Sequence, residues 1–147
     1  MSGDDTLRTR PSRPFVAASL ICVRDGRALL ARRGAAPMRG VWSAPGGMIE
    51  LGETAAEAAL RELTEETGVS AHIAGLIDVV DVILKADDGA VERHVTILAF
   101  AGRWRAGDGV PGPEALEVGW FAPDALAALE TTPRLGPLVA AAVERAG

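Results

Sequence analysis

Apolar positions along this chain fall into two kinds of run, and the change from one to the other marks where strands give way to helices. Phe15 to Arg24 and Ala28 to Arg32 are nearly continuous apolar runs separated by Asp25-Gly26, a pair that accepts the positive φ angles of a two-residue hairpin turn. The first run is apolar on both faces, which predicts a strand in the middle of a sheet. Ile73 to Leu84 and His94 to Trp104 are rich in Val, Ile and Leu, flank Asp87-Asp88-Gly89, and predict a second hairpin. Glu117 to Phe121 reads as a short strand, and Pro123 suits the first position of a short helix through about Leu129. Leu135, Leu138, Val139, Ala142 and Val143 repeat at helical spacing and predict a terminal amphipathic helix. Gly34 to Ser43 and the segment holding Gly107, Gly109, Pro111, Gly112 and Pro113 read as loops. Strands mixed with helices, with hairpins among them, predict an α/β protein whose mixed β-sheet is covered by helices on both faces.

One helix is legible at the level of its caps. Thr54 with Glu57 three residues on makes a capping box, and Gly68 is placed to supply the left-handed residue at the far end, so the helix is expected from about Ala55 to Thr67. At about 100° per residue Ala56, Ala59, Leu60 and Leu63 share a stripe that would pack on a core. Glu62, Glu65 and Glu66 share the adjoining stripe, with Ala55 and Ala58 among them. An acidic stripe is ordinarily a solvated face. This one borders the apolar side, and Pro45-Gly46-Gly47 lies directly upstream, where small residues allow close backbone approach. Three like charges on one stripe repel, and a hard divalent cation such as Mg²⁺, which prefers oxygen ligands, would compensate them.

Composition narrows the setting. The 147 residues suit one domain, expected over residues 14–147 behind a polar, disordered leader at 1–13. Net charge is −5 and Lys85 is the only lysine among 15 cationic residues, which argues against nucleic acid or a membrane surface as partner. A polyphosphate met through a bound metal fits that balance, and a homodimer is left open. Cys22 is the only cysteine, so no internal disulfide can form and a reducing cytoplasm is the expected location.

The spacing Gly47, five residues, Glu53, seven residues, Arg61-Glu62-Leu63, one residue, Glu65-Glu66, one residue, Gly68-Val69 resembles the complete Nudix box. Nine specified positions match by chance on the order of 10⁻⁹ times per start site. The resemblance runs in element order from roughly Phe15 to Leu129 and implies the Nudix α/β/α sandwich. It also implies hydrolysis of a nucleoside diphosphate linked to another group, with Mg²⁺ or Mn²⁺ as cofactor. On that likeness Glu62, Glu65 and Glu66 are the metal-binding carboxylates, Gly46 offers a carbonyl, and Glu53 and Arg61 orient the site. Arg61 could equally pair with Glu57 or Glu65 at i±4. Family members often take a further acid from the late loop as general base or metal ligand, which here is Glu114, with Glu117 next.

Outside the box, Arg32, Arg33 and Arg39 could hold substrate phosphate or simply solubilise a strand end. Trp42 could stack on a base or pack in the core. His72 and His94 show no ligand spacing, and Cys22 reads as inert packing. For substrate, the ALLARR strand and VWSAPGG entry resemble the ADP-ribose-pyrophosphatase-like branch, which ranks ADP-ribose or a related nucleotide sugar first and a nucleoside triphosphate second. A Nudix-like domain that senses a nucleotide without cleaving it is the reading of another class; a damaged box or a DNA-binding segment would mark it, and neither is visible.

Overall fold

The computed structural model describes residues 9–147. Among them seven strands form one mixed sheet: β1 (Phe15–Arg24), β2 (Arg27–Arg33), β3 (Trp42–Ser43), β4 (Gly46–Met48), β5 (Ser70–Lys85), β6 (Val91–Ala106) and β7 (Ala115–Phe121). The order is β3-β2-β1-β6-β5, with β4 also on β1 and β7 also on β2. β1 and β6 run parallel from Phe15↔Val95 to Val23↔Arg103, while β1–β2, β1–β4, β2–β7 and β5–β6 are antiparallel. The first hairpin turns where expected: Asp25 and Gly26 both take positive φ, 51° and 74°, which matches the twist of the strands they join.

Two α-helices cover the sheet, α1 (Ala55–Thr67) and α2 (Leu135–Ala146). β1 shows the layering, because its side chains alternate between the two cores. Ala18, Leu20 and Cys22 pack with Leu63 and Val69 under α1, whereas Ile21 and Val23 pack with Leu135 and Val139 under α2. The expected sandwich with helices on both faces is therefore the observed one.

α1 carries its capping box as read: Thr54 Oγ1 accepts from Glu57 N–H at 3.1 Å, Glu57 Oε1 accepts from Thr54 N–H at 2.9 Å, and Gly68 ends the helix at φ 69°. Such a cap is worth about 1 kcal/mol, and full burial of one leucine such as Leu63 about 1.5–3 kcal/mol. Burial therefore decides where α1 sits, and the caps decide where it starts and stops. Its inward face is turned from the expected one: Ala58, Ala59, Leu63 and Thr67 are buried, while Ala56 and Leu60 are only half-buried.

Several boundaries move. The loop expected over 34–43 ends in β3, and the second hairpin is longer than expected, because register shifts along β5 break its alternation and hide its length. The helix expected from Pro123 is a 3₁₀ helix, Pro123–Ala128. Most of the expected leader lies outside the described residues. Its described end is fastened: Arg10 N–H donates to Glu92 O at 2.8 Å and its guanidinium pairs with Glu92 at 2.8 Å. No helix among the described residues is long and apolar enough to cross a membrane. Cys22 is fully buried, and burial pushes its thiol up to about 12, so it packs as a small hydrophobe.

Candidate functional site

β4 and α1 build the floor of the site together. β4 hangs on β1 through Ser19↔Gly46 and Ala17↔Met48, and a methyl at Gly46 would lie 2.7 Å from Ala18 O. A methyl at Gly47 would collide with the Glu62 carboxylate. Gly46 is thus required by space, and at Gly47 a methyl would push the Glu62 carboxylate aside; together they let the acidic side of α1 lie directly on the strand.

Glu66 sits at the centre. Its Oε2 accepts from Gly46 N–H at 2.7 Å, and its carboxyl and that of Glu62 lie within hydrogen-bond reach of each other. Burial first, then the Glu62 charge, pushes Glu66 up to about 8 against the single N–H that favours its ionised form. Glu62 is raised as well, chiefly by burial and against the pull of Arg61. Two half-buried carboxyls that both resist ionisation make a place short of positive charge, and an oxygen-only donor set of this kind fits Mg²⁺ or Mn²⁺. Among the described residues no three His, Cys, Asp or Glu side chains already converge as a metal cluster. The Glu65 carboxylate is turned to Arg61 at 3.2 Å.

Arg61 organises the other flank. Its Nε and Nη2 grip Glu53 at 2.7 and 3.0 Å, Nη2 also donates to Met48 O at 3.1 Å, and Nη1 reaches Glu62 at 2.9 Å. Hydrogen bonds from Arg61 and then from Glu50 N–H hold Glu53 down at about 2. Of the two i±4 partners open to Arg61, Glu65 pairs with it at 3.2 Å, while Glu57 is occupied by the cap. One guanidinium thus links the turn, the strand and the acidic stripe.

Glu114 faces this group from the β6–β7 segment. Glu65, Glu66, Pro113 and Glu114 line one open cleft of about 310 Å³, and the Glu114 charge contributes to the raised Glu66. Glu117 is elsewhere, paired with Arg32 at 3.3 Å.

The remaining candidates divide. Arg32, Arg33 and Arg39 use their Nε atoms to brace the loop over 34–41, donating to Gly40 O, Pro37 O and Gly34 O at 2.9, 2.9 and 3.2 Å. Arg33 and Arg39 make no ion pair among the described residues. That loop adjoins the cleft, since Gly34 N–H donates to Glu114 O at 3.1 Å. Trp42 requires a correction: it is 8% exposed and meets Phe121 edge-on at 4.8 Å in the core under α2, the face of the sheet opposite α1. It packs there and cannot stack on a base in the cleft. Sequence reasoning missed Gly34 and Gly112, which dock loops closely on other backbone; the run of glycines and prolines after Ala106 was the available signal.

Residues 13–142 match the model of the NUDIX domain family. An ADP-ribose pyrophosphatase of Methanocaldococcus jannaschii is 38% identical over 96 residues, which is 65% of this chain and 57% of that protein. An 8-oxo-dGTP diphosphatase of Proteus vulgaris is 37% identical over 86 residues, 58% of this chain and 71% of that one. The crystal structure of a MutT NUDIX hydrolase from Burkholderia pseudomallei superposes with a TM-score of 0.67 at 29% identity, covering 92% of this chain and all of that one (100%). The match therefore spans little more than half the length of the archaeal relative.

Proposed function

This chain belongs to the NUDIX family, and on that premise we propose that it is a Mg²⁺-dependent pyrophosphohydrolase that cleaves ADP-ribose or a related nucleotide sugar. The observation that carries the reading is the half-buried Glu66 carboxyl, coupled to Glu62 and sharing one cleft with Glu65 and Glu114. Glu62, Glu65 and Glu66, with the Gly46 carbonyl, would hold the cation. When bound, Mg²⁺ or Mn²⁺ neutralises phosphate oxygens and orients a water toward phosphorus. In the reaction that water adds to one phosphorus, one P–O–P bond opens, and Glu114 takes the proton released. Arg61 keeps Glu62 and Glu53 in place, and Arg33 and Arg39 supply charge for the phosphate.

The archaeal ADP-ribose pyrophosphatase at 38% identity supports the substrate class, and the 8-oxo-dGTP diphosphatase at 37% supports a triphosphate as the second reading. A cleavage screen with Mg²⁺ over ADP-ribose, NADH, dinucleoside polyphosphates and (deoxy)nucleoside triphosphates, with the nucleotide products separated by chromatography, decides between them. We expect kcat/KM for ADP-ribose at least about tenfold above that for every triphosphate. The reverse order overturns the ranking, and no cleavage of any nucleotide favours a sensing domain.

Metal should also be visible without turnover. A ligand that binds only the folded chain raises its apparent stability, so Mg²⁺ or Mn²⁺ should raise Tm. A Glu62→Gln/Glu66→Gln protein that responds to metal as the parent does would contradict the assignment. Val16, Leu76, Val79 and Ile83 are large apolar side chains left exposed around the β5–β6 hairpin, which supports a homodimer. A monomer in sedimentation equilibrium would rule that out.

A further inference from the structure

The segment from Gly107 to Glu114 is fastened along its length. Trp104 Nε1 donates to Gly107 O at 2.6 Å, Trp120 Nε1 donates to Asp108 O at 2.8 Å, and Arg24 pairs with Asp108 at 3.3 Å. Further on, Val110 N–H donates to Thr67 O and Gly112 N–H to Glu66 O, each at 2.8 Å, and Ala115 N–H closes a turn on Gly112 O at 3.1 Å. The segment is thus a strap across the end of α1, satisfying two of the last carbonyls that a helix otherwise leaves to water.

Gly112 is the point of closest approach. A methyl there would collide with Glu65 O and lie 3.2 Å from Glu66 Cα. Its φ is not in the left-handed region, so glycine is required by space alone. With room to spare, alanine would be neutral or stabilising at such a position. The backbone it touches belongs to Glu65 and Glu66, and two residues later the strap delivers Glu114 to the cleft that those residues line.

We propose that Gly112 is the positioning residue of this site: its missing side chain lets the strap lie on the Glu65–Glu66 backbone, and that contact sets where the Glu114 carboxylate stands relative to Glu66. The proposal rests on the reading of Glu114 as a working residue. Among the described residues Glu114 itself is tethered at its backbone, through Gly34, and the Gly112 contact two residues earlier is what joins its strap to the Glu65–Glu66 backbone.

The test is a double-mutant cycle with Gly112→Ala, Glu114→Gln and their combination, and with Gly136→Ala as control, where an added methyl meets nothing within 4 Å. Amide exchange at Val110, kcat, KM and the Mn²⁺-induced rise in Tm are measured for each. Gly112→Ala should speed Val110 exchange at least about tenfold and lower kcat at least about tenfold with KM within about threefold. In its background Glu114→Gln should cost less than about twofold more, because a displaced carboxylate has little left to lose. Gly136→Ala should behave as the parent. Undiminished Val110 protection overturns the proposal, as does a full Glu114→Gln loss in the Gly112→Ala background, or no Glu114→Gln effect on either kcat or the Mn²⁺ response. Should the parent cleave no nucleotide, the proposed function fails, while the same cycle read on the Mn²⁺-induced Tm rise still decides the positioning. Should Gly112→Ala not fold, Val110→Pro deletes the adjacent strap–helix hydrogen bond without crowding α1 and takes Gly112→Ala's place in the cycle, with amide exchange read at Gly112, which donates to Glu66 O, and with the same outcomes supporting or overturning the proposal.

Discussion

Glu66→Gln is expected to lower kcat by a factor of at least about 10³ while the fold survives. The amide has nearly the volume of the carboxyl, and its oxygen can still accept from Gly46 N–H, the 2.7 Å bond that ties α1 to β4. What it cannot supply is the negative charge that the site offers to a cation. Because the carboxyl is already pushed up to about 8 by burial and by Glu62, a neutral side chain is no burden to the metal-free protein. The metal-free Tm should therefore stay within a few degrees of the parent. Steady-state kinetics across a range of Mg²⁺ concentrations, with melting curves alongside, measures both arms. Near-normal turnover at saturating Mg²⁺ would remove Glu66 from the metal site.

Arg61→Lys is the second large effect, expected to lower kcat/KM by about 10², the loss that roughly 1 Å of misplacement produces. The geometry leaves lysine no way to compensate. Three nitrogens of Arg61 meet Glu53, Met48 O, Glu62 and Glu65 in separate directions, whereas an ammonium offers its donors from one atom. With the fork gone, Glu53 is freed from the turn, and Glu62 and Glu65 repel without a shared counter-charge. The Mg²⁺ concentration for half-maximal activity should rise along with the loss in kcat/KM, which a remote structural defect would not cause. Parental kcat/KM and parental metal dependence in Arg61→Lys would reduce the network to a surface ion cluster.

How far the sequence could be read follows from how far each signal reaches along the chain. α1 was legible to the residue because its caps and its Gly68 stop act over one turn. The Asp25-Gly26 hairpin was legible for the same reason. By contrast, Trp42 belongs to the core under α2 because β3 pairs with Ala31 and Arg32, and no local pattern tells a short strand which face its aromatic will take. The acidic stripe was visible, but the closeness of Glu62 to Gly47 depends on two segments packing together. Glu114 could be singled out as a loop acid, yet its place beside Glu66 is fixed by backbone bonds between the strap and α1. The box itself was recognisable as a pattern; the division of its carboxylates between Glu66 at the centre and Glu65 held off by Arg61 was not.

The parallel β1–β6 pair also fixes an order of events for a growing chain. Phe15 pairs with Val95, 80 positions later by subtraction of the two numbers, so the two middle strands of the sheet cannot join until β6 has been synthesised. α1 and its glutamates are made well before that, with half of their supporting sheet still missing. Long-range pairing of this kind is slow to nucleate, and α1 would wait with Leu63 exposed until β6 closes against β1. A chain stalled on the ribosome after residue 90 should therefore be digested readily by protease, whereas one extended beyond β7 should resist; protection at residue 90 would mean that the first half of the sheet stands alone.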